Sequence, residues 1–118
     1  MNNKRKKSAH EMTAGDIFHP GEHLKDEIDS RAMSQQELAD KAGLSKSEIS
    51  SIIHGRRNIN PLIAIKLEIV LKISAEFWMN LQIKYDIDLL KRKYKKSLAK
   101  INTTPAKKAK IRKHIEAA

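Results

Sequence analysis

The segment SQQELADKAGLSKSE, residues 34–48, carries two helix-start signals with a single glycine between them. Ser34 with Glu37, and Ser45 with Glu48, each set a hydroxyl at an N-cap and a carboxylate three residues on. At that spacing each group satisfies an orphan backbone amide of the other. Gly43 accepts the positive φ that ends a helix abruptly. Two capping boxes around such a stop predict two short helices joined by a tight turn, and the rest of the chain has to fold around that corner.

The flanking segments read the same way. In HPGEHLKDEI, Pro20 suits a first helical position, where its missing N–H costs nothing, and Glu22 and Asp26 lie toward the positive end of the helix dipole. Leu24 and Ile28 give this helix a narrow apolar stripe. Asn60 and Pro61 open PLIAIKLEIVLKI, and Ser74 caps AEFWMNLQIKYDIDLLKRK, which holds the only tryptophan. No period-two run is bounded by hairpin residues. The expected class is all-α, with five helices between residues 15 and 93. A polar, unpatterned lead-in covers 1–14, and a basic tail covers 94–118, broken at NTTP and able to form no more than a marginal terminal helix.

Charge needs to be located before it is used. The net +10 is concentrated at the ends: from Lys91 onward there are eleven Lys or Arg against one acid, and residues 4–7 are all basic. Residues 8–90 hold nine Lys or Arg against thirteen Asp or Glu, a net −4. A general argument from basicity to nucleic acid therefore fails, and local geometry must carry the case. With no cysteine, disulfides and thiolate metal sites are excluded. KRKK is followed by no apolar stretch, and no run approaches bilayer length, so a soluble cytoplasmic protein without a membrane partner is expected. The tail lacks a strong amphipathic stripe, and a solvated charge run is its ordinary reading.

The helix beginning at Lys46 divides sharply. At 100° per residue Ile49, Ile52 and Ile53 share one arc, and Ser47, Ser50, Ser51 and His54 the other. Serine is a middling helix former, and a merely wet face more often carries Lys, Glu or Gln. Short side chains let a helix axis approach another surface closely, and hydroxyls bond base edges or phosphates. In a helix-turn-helix the second helix enters the major groove by its N-terminal residues, while the first crosses the backbone. That assigns Gln35, Lys46, Ser47, Ser50, Ser51 and His54 to the duplex side. Arg56, Arg57 and Asn58, after Gly55, would meet a phosphate strand, with Lys41 a further contact. A plain helical bundle with a wet serine face is the competing reading; the joint pattern of caps, glycines, isoleucines and basic pair favours DNA.

SQQELADKAGLSKSEISSIIHGRRNIN resembles the Cro/repressor-type helix-turn-helix family, with Gln35, Ala39, Gly43, Leu44, Ile49 and Ile53 at its Gln, Ala, Gly and apolar positions. The flanks HPGEHLKDEI and AEFWMNLQIKYDID resemble the HigA (VapI-like) antitoxins of bacterial addiction modules. That resemblance, over residues 17 to 90, implies a compact five-helix lambda-repressor-like domain. It also implies a dimeric repressor of its own operator that neutralises a HigB-like basic ribonuclease, as the antitoxin of a type II toxin–antitoxin module. By motif position it implies Gln35, Lys46, Ser47, Ser51 and Arg56 as DNA contacts. Leu62 and Ile69 depart from it, being apolar where such sequences commonly are polar, and the Lys-rich tail lies outside the pattern. A solitary Cro-like regulator of a phage or mobile element is the alternative, and a helical adaptor without DNA affinity a third class.

The last helix is apolar on two sides. Phe77, Trp78, Leu81, Tyr85 and Leu89 group on one, and Met79, Ile83, Ile87 and Leu90 on the other. The first is expected to close the core and the second to form a homodimer interface, with toxin binding as the other possible use. Glu22, Asp26, Glu27 and Asp29 form either a solvated face or one that steers a basic partner. His19 and His23 are four apart, but no third ligand accompanies them, so no metal or other cofactor is expected. No serine has a recognisable His and acid relay, and no glycine-rich phosphate loop occurs, so no enzyme is expected.

Overall fold

The computed structural model describes residues 16–101. They form α1 (Pro20–Ser30), α2 (Gln35–Ala42), α3 (Lys46–Ile53), α4 (Pro61–Leu71), α5 (Ala75–Lys93) and α6 (Lys95–Ala99), with no strand among them. The five expected helices are present, and the short α6 adds a sixth at the start of the expected tail. The lead-in 1–14 and the tail from residue 102 lie outside the described residues. The chain divides into two compact units, one ending at Asp86 and one beginning at Ile87.

Helix boundaries follow local capping. Ser45 Oγ accepts the Glu48 N–H, and Glu48 Oε1 accepts the Ser45 N–H, both at 3.0 Å, a complete capping box. The expected twin at α2 is only half made. Ser34 Oγ accepts the Glu37 N–H at 3.0 Å, but the Glu37 carboxylate turns along the helix toward Lys41, 3.7 Å away. A basic residue one turn on competes for the carboxylate there, whereas Glu48 has none on its own helix. Gly43 ends α2 in the left-handed region at φ 66°. Asn60 Oδ1 caps α4 through the Ile63 N–H, and Ser74 Oγ caps α5 through the Phe77 N–H. Glu68 adds a second acceptor at that end, 2.7 Å from the Ala75 nitrogen.

In the first unit α3 packs against α1 and α2, and α2 also packs against α4. The core gathers Leu24 and Ile28 from α1, Leu38 and Ala39 from α2, and Ile49, Ile52 and Ile53 from α3. Ile59, then Ile63, Ala64, Leu67 and Leu71 of α4, and Trp78 of α5 complete it. Each large side chain so buried contributes about 1.5–3 kcal/mol relative to exposure.

Where α1 meets α3 the backbones nearly touch. A Cβ built on Gly21 would stand 1.8 Å from the Ile52 carbonyl oxygen. Only glycine permits that approach, and it supplies a structural reason for the glycine of the HPGE segment.

On α5, Trp78 is fully buried and Leu81 and Tyr85 half-buried, as expected of the inward face, but Phe77 and Leu89 are exposed. The same face also buries Gln82, which fixes loop backbone: its Oε1 accepts the Ile59 N–H at 2.8 Å and its Nε2 donates to Asp86. Met79, expected on the outward dimer face, is half-buried and packs against the chain's own core. The two arcs of α5 overlap in its first turns, where α4 stands close enough for Ile65 and Met79 to line one groove. Ile83, in the first unit, and Ile87 and Leu90, in the second, are exposed. In the second unit Tyr94, Leu98 and Ile101 are exposed as well, so an apolar component extends into the segment read from sequence as simply basic.

Candidate nucleic-acid interface

Ile49, Ile52 and Ile53 are buried, which fixes the rotation of α3 and turns its other arc outward. Lys46 and Ser47 are exposed, and Ser50 and Ser51 half-buried. The chain then turns sharply at Gly55 (φ 75°) and wraps back over the end of α3. The N–H groups of Arg56 and Arg57 both donate to the Ser51 carbonyl, at 2.8 and 3.1 Å. His54, Arg56, Arg57 and Asn58 are consequently presented beside the outward arc, all exposed.

The nine side chains expected to meet DNA fall into two groups. Gln35, Lys46, Ser47, Ser51 and Arg56 have no side-chain hydrogen bond or ion pair with another described residue. The other four are engaged within the protein. The His54 ring donates from Nδ1 to the Ser50 carbonyl at 2.8 Å, a bond that turns Nε2 away from the helix, and the Ser50 hydroxyl lies 3.4 Å from the same Nδ1. Arg57 pairs with Glu48, Nη2 to Oε2 at 3.3 Å. Asn58 Oδ1 meets the His19 ring at 3.3 Å.

Glu48 thus links the start of α3 to the turn beyond it. The Ser45 backbone N–H, foremost, holds its carboxyl below the ordinary carboxylate value; desolvation opposes this, and the Ser45 hydroxyl, Arg57 and Lys66 add to it. The pair with Arg57 is partly exposed, so it positions the guanidinium more than it stabilises the fold. Lys66, which the sequence reading did not single out, reaches from α4 to within 3.4 Å of the Gly43 carbonyl at the turn.

His19 and His23 are both engaged within the fold. His19 Nδ1 accepts the Gly21 N–H, and the His23 ring stands edge-on to Phe77 and Trp78, at 5.0 and 5.6 Å between centroids. No cluster of three potential ligands occurs among the described residues. No helix among them is long and apolar enough to cross a membrane.

Residues 24–78 match the helix-turn-helix family HTH_3. A Coxiella burnetii addiction module antidote protein of the HigA family is 33% identical in sequence, the match covering 75% of this chain and 97% of that one at a TM-score of 0.69. The chain belongs to the HigA family. The Pseudomonas aeruginosa antitoxin HigA, solved with the higBA promoter, is 31% identical with 76% and 98% of the two chains covered and a TM-score of 0.70. Virulence-associated protein A′ of Dichelobacter nodosus is 36% identical over 70 residues, a match that spans 58% of this chain and 61% of that protein. The HigA fold is that of DNA-binding regulators and antitoxins rather than of enzymes. In this HigA-family chain α3 and the Phe-Trp pair of α5 lie within residues 24–78, which match the helix-turn-helix family, and the HPGE segment lies just before them.

Proposed function

We propose that this protein is the antitoxin of a type II toxin–antitoxin module, repressing its own operon as a homodimer and neutralising a HigB-like ribonuclease in the cytoplasm. The observation that carries the DNA side is the state of α3: its isoleucines anchor it, while the side chains of Lys46, Ser47, Ser51 and Arg56 have no hydrogen bond or ion pair with another described residue. Laid in a major groove, Lys46 and Ser47 meet base edges at the helix N-terminus, and Arg56 meets phosphate. Gln35, at the start of α2, contacts the backbone that this helix crosses. Ser50, His54, Arg57 and Asn58 complete the contact set, Arg57 on exchanging Glu48 for a phosphate oxygen.

Two half-sites one turn apart call for a two-fold protein. On the first unit the proposed dimer contact is the groove lined by Pro61, Ile65, Ala75 and Met79, together with Ile83 one turn further along α5. Leu62 and Ile69 are 60% and 63% exposed on α4, unusual for isoleucine and leucine and suited to a second copy.

A gel-shift titration of the full chain on the DNA upstream of its gene, with and without the product of the neighbouring gene, tests the reading. The expected result is a complex on that DNA roughly a thousandfold tighter than on scrambled DNA, altered by a neighbour that degrades RNA when expressed alone. Specific binding without any such neighbour makes the chain a solitary regulator, and equal binding to scrambled DNA refutes the operator reading.

A further inference from the structure

We propose that His19 is a positioning residue that sets the orientation of the Asn58 side chain at the DNA-facing turn; this rests on the operator-binding reading above. His19 is the N-cap of α1 and only 7% exposed. Its Nδ1 lies 2.9 Å from the Gly21 nitrogen, and a backbone N–H can only donate, so Nδ1 carries no proton in that bond. The neutral ring then bears its hydrogen on Nε2, the atom 3.3 Å from Asn58 Oδ1. An amide whose oxygen accepts from Nε2 has its NH₂ group directed elsewhere. Asn58 is exposed and that NH₂ group bonds no other described residue, which leaves both donors for an acceptor from outside the protein, such as a phosphate oxygen.

The ring is held in place for this. The position a Cβ would take on Gly55 lies 3.8 Å from its Cγ, and Tyr85 of α5 stands edge-on to it with centroids 4.8 Å apart. Gly21 fixes the N–H that selects the tautomer, because α1 can approach α3 no other way. The turn itself is pinned at its start by the bonds of Arg56 and Arg57 to Ser51 and at its end by that of Ile59 to Gln82. Besides the Glu48 pair with Arg57, the His19 bond is the one in this turn that reaches a side chain assigned to phosphate. The chain of cause therefore runs from the α1 N-cap, through an imidazole tautomer, to the donor face of an amide. No other side-chain bond of Asn58 to a described residue distinguishes the two orientations of its amide, and the one with oxygen outward repels phosphate.

The test uses His19→Asn, which keeps an oxygen to cap α1 but cannot reach Asn58, with Asn58→Ala and the double variant, all in the full chain. Operator affinity by fluorescence anisotropy should fall roughly two- to tenfold in His19→Asn, the scale of one lost hydrogen bond. The double variant should bind no more weakly than Asn58→Ala alone, because His19 acts through that side chain. Multiplying losses, or wild-type affinity in His19→Asn, overturn the proposal. Nitrogen NMR of the free protein reads the link without DNA: His19 should be the Nε2-protonated tautomer, its Nε2 resonance shifting in Asn58→Ala. The Nδ1-protonated tautomer overturns the proposal too. Failure of the operator reading is distinct, since the wild-type chain then shows no preference for its upstream DNA while the tautomer is still seen.

Discussion

Replacing Gly21 by alanine puts one methyl group into the crossing of α1 and α3. The added Cβ would lie 1.8 Å from the Ile52 carbonyl oxygen and 2.7 Å from its carbon, where ordinary contact begins at 3.4 Å. The first distance is short by about 1.6 Å, and both obstructing atoms are backbone, so no rotamer change relieves it. Alanine is favoured over glycine inside a helix by about 1 kcal/mol. Against this, overpacking a well-filled contact costs typically about 1–3 kcal/mol and more when backbone must move. The second effect wins, for a net destabilisation of roughly 2 kcal/mol or more. In a domain of this size that lowers Tm by about 8–16 °C. Gly43→Ala is the control: it has open space around it and meets only the left-handed φ of 66°, a cost of about 1–2 kcal/mol. Thermal melts followed by far-UV circular dichroism compare the two. Because α3 rests on this crossing, Gly21→Ala should also weaken operator binding well below its melting temperature. A Tm for Gly21→Ala at or above that of the wild type would refute the claim that the two backbones meet there.

Three further outcomes follow from the same geometry. Arg56→Ala should weaken operator binding more than Arg57→Ala, since only Arg57 must first leave Glu48, and each should lower the slope of affinity against salt by about 0.9 per lost phosphate contact; equal affinities for both variants and wild type across salt would count against the phosphate role. Glu48→Gln keeps an acceptor for Ser45 but loses the charge. Because the folded carboxyl sits below its ordinary 4.5, its contribution is complete above that value and disappears as pH falls through the folded one. Denaturant midpoints of wild type and variant should therefore differ at neutral pH and converge in acid, and a gap that widened in acid would reverse the assigned sign. Ile83→Glu, at a position 50% exposed, should leave the melting temperature of dilute protein nearly unchanged while converting the proposed dimer to monomer in sedimentation and weakening operator binding; a dimer that persists would move the interface elsewhere.

Local chemistry made most of the fold readable. Ser45 with Glu48, Asn60 with Pro61, and Ser74 each mark a helix start using atoms within four residues of one another, so a linear sequence contains the whole interaction. The arc of isoleucines on α3 likewise needs only the helical period, which is why its outward serines were legible as a face before any tertiary contact was known. Capping chemistry misled at Glu37, where two acceptable partners lie on the same short helix.

Pairings across the fold were not readable. His19 meets Asn58 thirty-nine residues away, Gln82 reaches Ile59 across twenty-three, and Arg57 finds Glu48 only because the chain reverses at Gly55. Met79 looked outward by period alone, but the position of α4 decides how deep the first turns of α5 sit. By itself the sequence determined where helices begin and which side of α3 is apolar, because those interactions are short-range. The packing of α1 against α3 and the chain reversal at Gly55 decided which outward side chains remain unengaged and which are held by the protein, since that depends on groups the chain only brings together once it has folded.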